Sequence, residues 1–391
     1  MKLLFVCADR ADDPLLWSGV VSNCRQALLD AGVELAIFDR IPFECPIGMR
    51  IRHHLLKAFE GKTHLLQVEP SVLQRAARRV IARFAEGDCD GIFCPGTGVP
   101  IYAYLPPSIP VFTYMDATKR SWITSYFGLE TLCGRSRRKV NEVDRLSLSN
   151  NTRSIFASDW ARAEAIRDYN VPAGRTAIVP FGANLTDPPT RADVERWIEA
   201  RPRDTLNLFF LGKEWERKGG PDALALVRAL RQRGIRATLD IVGCQPTLTA
   251  SELELVRMHG FIDHSTPAGR EKFRGLLRQA HVLVFLSHAE AFGIALCEAA
   301  AFGVPAFAAA SGGIPTIVQD GVTGWLTNLP FSPDAAAATI ARFWQSPAEY
   351  RFIALAARAD YESRLNWKLS GRKLRAVVEE ALAERATPPS L

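Results

Sequence analysis

The sequence predicts an α/β chain of two successive doubly wound parallel sheets. Short apolar runs of strand length recur along it, bounded by turn residues and separated by helical patterns. The strand–helix alternation breaks off near the middle and then restarts. At 391 residues, with 48% hydrophobic and 23% charged residues, the chain has the make-up of a globular protein long enough for two cores.

The elements follow in order. Leu3–Ala8 reads as a first strand, a polar loop containing Ser18-Gly19 follows, and a helical pattern runs from about Val20 to Leu29, closed by Gly32. Val33–Phe38 is the next strand, and Gly91–Cys94, Val111–Tyr114, Ser154–Ala157 and Ala177–Val179 continue the series. Ser158-Asp159 before Trp160 has the chemistry of a helix N-cap. Residues 183–204, rich in Pro and Asp, read as a joint. Leu206–Leu211 then restarts the pattern, with a loop from Gly212 to Gly220 and a helix over Pro221–Arg233 that has Pro in its first turn and Gly234 at its end. Ala237–Val242, Val282–Leu286 and Ala306–Ala309 are further strands. The final stretch, Leu365 to Ala386, is helical in pattern and is stopped by Pro388-Pro389. The division expected is residues 1–185 and 186–364 as two Rossmann-like domains, with 365–391 a closing helical segment that packs back on the first.

Composition narrows the function. A net charge of +6 spread over both halves does not suit a nucleic-acid binder. It suits a cytoplasmic enzyme that handles anionic substrates or touches the inner face of an anionic membrane. No run of about 18 apolar residues predicts a spanning helix, and the apolar start at Met1–Cys7 turns polar at Asp9, too early for a secretory signal. The eight cysteines are scattered, and none forms a C-x-x-C pair beside histidine, so reduced packing thiols are expected. The seven histidines show no ligand spacing and no acidic D-x-D stands in a site-like setting, so a metal is not expected, and no cofactor is expected either. Arg50, Arg52, His53, His54 and Lys57 surround Leu55-Leu56. That run reads either as a solvated helix face or as a contact for a lipid-linked acceptor or a membrane surface. The run Arg135 to Lys139 carries the same pair of readings.

The chemistry concentrates in His288–Leu326. Glu290 and Glu298 stand seven residues apart in a segment otherwise apolar and small, framing Phe292-Gly293. A buried carboxylate is costly unless paired. The loop follows a buried strand and opens a helix near Ile294, which in a parallel sheet places it at the ligand-binding carboxyl end. Backbone N–H groups at Phe292, Gly293 and Ile294 then lie at a helix N-terminus suited to a diphosphate. Glu290 is placed to accept hydrogen bonds from hydroxyls, and Glu298 to hold a ribose diol. A second stretch, Phe210 to Gly220, sets Lys213, Arg217 and Lys218 on a glycine loop after a strand, three cations able to clamp a pyrophosphate.

These segments together resemble the retaining, nucleotide-sugar-dependent glycosyltransferases of group 1 (family 4 type), which have the GT-B fold of two Rossmann-like domains facing a central cleft. The resemblance implies that Glu290 contacts the donor sugar, Glu298 the ribose, and the amides of Phe292, Gly293 and Ile294 the sugar and diphosphate. Gly312-Gly313-Ile314-Pro315 and Gly321 to Gly324 match the family's close of this region. Lys218-Gly219 fits the family's diphosphate-stabilising Lys-Gly, whereas Lys213 stands where the family usually has Arg, leaving Lys213 and Arg217 as alternatives for the second contact. Gly19, after the first strand, is implied on the diphosphate or acceptor side. Asp116 matches the aspartate of a His-Asp pair in which Met115 replaces the histidine. It is expected at the cleft, steering the acceptor or the transferred sugar, with a plain helix N-cap as the alternative. Gly243 and residues 259–263 match loops that border the nucleotide base.

The function expected is transfer of a sugar from a nucleotide diphosphate sugar to a hydroxyl of a saccharide or lipid-linked acceptor, in polysaccharide or glycoconjugate synthesis, with a peripheral membrane contact left open. Glu290, Lys218 and Asp116 are the expected catalytic residues. A nucleotide-sugar epimerase and a non-catalytic nucleotide-sugar-binding protein are the alternatives. A dehydrogenase is disfavoured because the loop after the first strand lacks G-x-G-x-x-G.

Overall fold

The structure, a computed structural model, describes residues 1–96 and 100–386. The chain forms two units: Met1–Phe181 together with the segment from Trp367 onward, and Gly182–Asn366.

The first unit holds β1 (Lys2–Val6), β2 (Glu34–Phe38), β3 (Gly91–Pro95), β4 (Val111–Met115), β5 (Arg153–Phe156) and β6 (Thr176–Ile178). They form one parallel sheet in the order β2-β1-β3-β4-β5-β6. β1, β3, β4 and β5 are almost wholly buried because helices cover both faces, which is why they read as continuous apolar runs. The last helix, Trp367–Ala386, packs on helix Val20–Asp30, as the sequence predicts. The fit is close: a β-carbon at Gly371 would stand 2.1 Å from the Ala27 carbonyl oxygen, and Arg375 Nη1 donates to the Ala31 carbonyl at 2.7 Å.

The second unit holds β7 (Leu206–Leu211), β8 (Ala237–Val242), β9 (Val256–Gly260), β10 (Val282–Phe285), β11 (Ala306–Ala309) and β12 (Gly324–Thr327). All pair in parallel, in the order β12-β11-β10-β7-β8-β9. Counted from β7 as the first strand, this is the 3-2-1-4-5-6 order of a dinucleotide-binding sheet. Its switch point lies between β7 and β10, where connections leave in opposite directions, the place where ligands bind in sheets of this order. In this sheet the loops at the carboxyl ends of those two strands carry Lys213–Lys218 and Glu290–Gly293.

Three features differ from the sequence reading. Residues 183–204 are not a plain joint: Arg191–Ala200 is a helix, started by a Thr190–Asp193 capping box and anchored in the core by Val194 and Ile198. β9 has polar side chains because it is an edge strand whose Arg257 and His259 pair with the buried Asp240 of β8, at 2.6 and 2.7 Å. β12 is short and begins at Gly324, where a β-carbon would meet the Ala306 carbonyl oxygen at 2.3 Å, so the strand starts on the one residue that fits. The stop expected at Pro388-Pro389 lies outside the described residues.

Two glycine substitutions separate close packing from free helix surface. Gly371→Val should destabilise by about 1–3 kcal/mol through overpacking against helix Val20–Asp30. Gly275→Ala, inside helix Pro267–Gln279 with nothing within 4 Å, should stabilise by about 0.5–1 kcal/mol. Denaturant unfolding of the whole chain measures both.

Candidate functional site

The loops beyond β7 and β10 are joined at several points. Lys218 Nζ donates to Glu290 Oε2 across the switch point, with the two side chains only 16% and 10% exposed. The same ammonium lies 4.9 Å from the centre of the Phe285 ring. The loops meet this closely because residue 219 is glycine. Its φ is +75°, and a β-carbon there would stand 2.2 Å from the Leu286 carbonyl oxygen.

Arg217 is committed to holding the loops. Its Nε and Nη2 donate to Glu214 at 2.9 and 2.7 Å, and Nη1 donates to the Ala289 carbonyl at 2.7 Å. Its own carbonyl accepts from the His288 amide at 2.9 Å. The buried Ser287 hydroxyl bonds to the Ala289 carbonyl at 2.9 Å, and Ser311 Oγ donates to the Ser287 carbonyl at 2.7 Å. The Gly313 amide donates to the Glu290 carbonyl at 3.2 Å. The backbone on both sides of Glu290 is therefore fixed by partners outside its own loop. Lys213 differs: it is exposed, has no ion pair among the described residues, and its ammonium sits 5.7 Å from the centre of the Phe261 ring. The two cations that the sequence leaves as alternatives thus occupy different situations, one bonded into the loop junction and one exposed beside it.

Gly293 is the N-cap of helix Ile294–Ala301 with φ +102°, a conformation that a side chain strains. The left-handed turn swings the chain into the helix directly after the buried Phe292, and the helix N-terminus faces the same side of the sheet as the Lys218–Glu290 pair. Glu298, in the second turn of that helix, is 8% exposed. Burial pushes its carboxyl up to about 8, opposed by a hydrogen bond with the Asn184 backbone. Burial thus favours the protonated form, in which the carboxyl can both donate and accept. Gly243 begins the loop after β8, where a β-carbon would stand 2.7 Å from the Gly212 carbonyl oxygen. It brings that loop against the one bearing Lys213.

Two expected residues lie in the first unit. Asp116 follows β4 directly and is half-buried. It is not the cap of the helix Lys119–Tyr126, because Thr118 takes that place, accepting from the Ser121 amide at 3.1 Å. Gly19 caps helix Val20–Asp30, and its carbonyl accepts from Asn23 Nδ2 at 2.8 Å. It ends a left-handed stretch in which Trp17 and Ser18 also have positive φ, 49° and 54°. Two non-glycine residues in that region cost of order 1–2 kcal/mol each, and the Trp17 ring is held edge-on against Phe181 at 5.3 Å. Gly19 and Asp116 both stand at carboxyl ends of strands of the first sheet.

Trp17, Ser287 and Ser311 are not singled out by the sequence. Ser287 directly after a buried strand was the one local signal. Among the described residues, no group of three or more His, Cys, Asp or Glu side chains is placed to hold a metal ion, and no helix is long and apolar enough to cross a membrane.

Comparison with known proteins matches residues 192–360 to the family of group 1 glycosyl transferases. The D-inositol 3-phosphate glycosyltransferase of Nocardiopsis dassonvillei is 31% identical over 250 residues, 60% of this chain and 57% of that protein. The chain thus spans little more than half the length of the curated relatives it matches. Sucrose-phosphate synthase from Thermosynechococcus elongatus superposes with a TM-score of 0.67 at 20% identity, covering 98% of this chain and all of that one. The Anabaena protein HepE in complex with UDP and glucose gives 0.60 at 18% identity, over 97% of this chain and 100% of its own. These likenesses establish the fold over nearly the whole chain.

The state of Glu298 is testable through stability. An unfolded glutamate titrates near 4.5 and the folded one near 8. As pH rises through that window the unfolded chain gives up a proton that the folded chain keeps, so stability contributed by Glu298 is present below it and lost across it. Glu298→Gln should therefore gain melting temperature over the parent between about pH 5 and pH 8.5. A difference that stays flat with pH would show that the carboxyl is ionised throughout.

Proposed function

We propose, for a chain whose residues 192–360 match the family of group 1 glycosyl transferases, that it moves a sugar from a nucleoside diphosphate sugar to an acceptor hydroxyl with retention of anomeric configuration. The fold is GT-B, two Rossmann-like units of six parallel strands each. The observation that carries the reading is the Lys218–Glu290 pair set across the switch point between β7 and β10, beside a glycine-capped helix N-terminus.

Each group has a task in that reaction. The bond between the anomeric carbon and the diphosphate oxygen breaks as positive charge grows on the sugar and negative charge on the leaving group. Lys218 and the amides at Gly293 and Ile294 stabilise the departing diphosphate in a partly water-excluded setting, where such fixed charges act most strongly. We assign the second phosphate contact to Lys213, supported by its exposure and lack of an ion pair, and give Arg217 the structural task of bolting the loops together. Glu290 accepts hydrogen bonds from the donor sugar's hydroxyls and sets the sugar's orientation. The protonated Glu298 meets the ribose diol as both donor and acceptor. Asp116 orients the acceptor, a hydroxyl of a saccharide or lipid-linked saccharide. The acceptor oxygen forms its bond to the anomeric carbon as its proton passes to the departing phosphate oxygen. A donor of the UDP-sugar kind is in keeping with the ligands of HepE.

Free nucleoside diphosphate, followed with a panel of nucleotide sugars and acceptors, tests the proposal. Lys218→Ala and Glu290→Ala should each lower turnover by about 10²–10³-fold, the scale of losing one charge-stabilising contact. Lys213→Ala should act mainly on donor KM. Folded variants with near-normal turnover at both 218 and 290 would reject the assigned roles, and binding of nucleotide sugar without any turnover would mark a binding protein.

A further inference from the structure

Helix Ile47–Glu60 of the first unit is built against the usual rule for a surface helix. None of its residues is buried. Its large aliphatic and aromatic side chains point to solvent: Ile47 is 76% exposed, Ile51 54%, Leu55 51% and Phe59 83%. They recur every fourth residue, so at about 100° per residue they cover roughly one third of the helix circumference. The face turned to the protein carries only Met49, His53 and Leu56, each half-buried. His53 is held there by the His64 carbonyl at 3.0 Å.

The charges border the apolar stripe. Arg52 lies at one margin, and His54, Arg50 and Lys57 at the other. Among the described residues, Arg50, Arg52 and Lys57 form no ion pair, whereas arginines elsewhere in the chain are repeatedly matched to carboxylates. Glu60, the last residue, is the helix's one acidic side chain. The exposed surface continues beyond the helix. Thr63 donates to the Thr131 carbonyl at 2.8 Å and Lys62 to the Glu130 carbonyl at 2.6 Å. These bonds tie the helix's C-terminal end to the segment after Trp122, Tyr126 and Phe127. Those three rings form one cluster, with Trp122–Phe127 centres 5.0 Å apart and Phe127 57% exposed. Arg137 and Arg138, exposed on the next helix, add two further cations.

We infer that this surface binds in the plane of an anionic lipid bilayer, with Ile47, Ile51, Leu55 and Phe59 entering the acyl boundary and Arg50, Arg52 and Lys57 meeting the headgroups. Charge complementarity selects the occupant. A second copy placed on the same stripe brings unpaired cations against unpaired cations, whereas an anionic headgroup layer neutralises them while taking up the apolar side chains. Aromatic rings with a polar edge, as in Trp122 and Tyr126, suit the interface. The inference concerns the first unit alone and does not depend on which sugar is moved.

Co-sedimentation of the full chain with vesicles tests it. Vesicles of phosphatidylcholine with phosphatidylglycerol should carry the protein down, less so as salt rises, and vesicles of phosphatidylcholine alone should not. The exposed-site variant Ile51→Glu/Leu55→Glu should lose at least about tenfold in partitioning for each apolar side chain withdrawn. Arg50→Gln/Arg52→Gln/Lys57→Gln should lose about a hundredfold, near fivefold per cation. Both should melt like the parent and keep their turnover on soluble acceptor, which separates failure here from failure of the transfer reading. Equal sedimentation of parent and variants would overturn the inference. So would absence of binding to the anionic vesicles, or a concentration-dependent dimer that the Glu variant abolishes.

Discussion

A lysine and a glutamate from two different loops share one hydrogen bond at the switch point of the second sheet, and the site is organised around that contact. The sheet order determines that the loops beyond β7 and β10 are neighbours. Gly219 lets them touch at backbone distance, Arg217, Ser287 and Ser311 fix the carbonyls before Glu290, and the Gly313 amide fixes that of Glu290 itself. In a setting this enclosed, a lone charge is expensive, so each member of the pair stabilises the other in the free protein. In the proposed reaction a diphosphate gives Lys218 a new partner, and sugar hydroxyls give one to Glu290. The pair thus holds its two charges in place with the same chemistry that the proposed donor would offer them.

The two units handle polar groups differently. In the second, buried charge is matched: Asp240 binds Arg257 and His259, Arg358 and Arg364 reach backbone carbonyls, and Arg201 caps the carbonyls of Phe302 and Gly303. Such matching suits the task proposed for this unit, holding one anionic ligand in fixed geometry. The first unit keeps a matched interior as well, with the buried Glu69 bridging His64 and Arg135 so that its carboxyl falls to about 2. Its outer helix, by contrast, leaves apolar and cationic groups unmatched. Surfaces of that composition are completed by something outside the chain.

Much of this was legible in order along the chain. Strands buried on both faces announce themselves as apolar runs, and Leu206–Leu211, Ala237–Val242 and Ala306–Ala309 fall where the sequence puts them. Gly293 between Glu290 and Glu298 marks a loop entering a helix, because glycine is the residue that tolerates the turn required. β9 was not legible: its alternate residues are polar, and only a carboxylate on a strand adjacent in space, Asp240, makes them a sheet edge. Helix Arg191–Ala200 was hidden by the prolines before it, although its Thr190–Asp193 cap is written in the sequence.

The sequence by itself determined the succession of elements, the residue types able to hold a diphosphate and the glycines where chains approach closely, because these depend on local backbone and side-chain chemistry. Tertiary structure decided which cation is bonded into the loop junction and which stands exposed, since what lies opposite Arg217 and Lys213 is set by loops distant in sequence. It decided that the Glu298 carboxyl is pushed upward, because burial is a property of everything packed around a carboxyl. It also decided that Ile47, Ile51, Leu55 and Phe59 face outward, for an amphipathic helix shows its two faces in sequence but not which of them the protein covers.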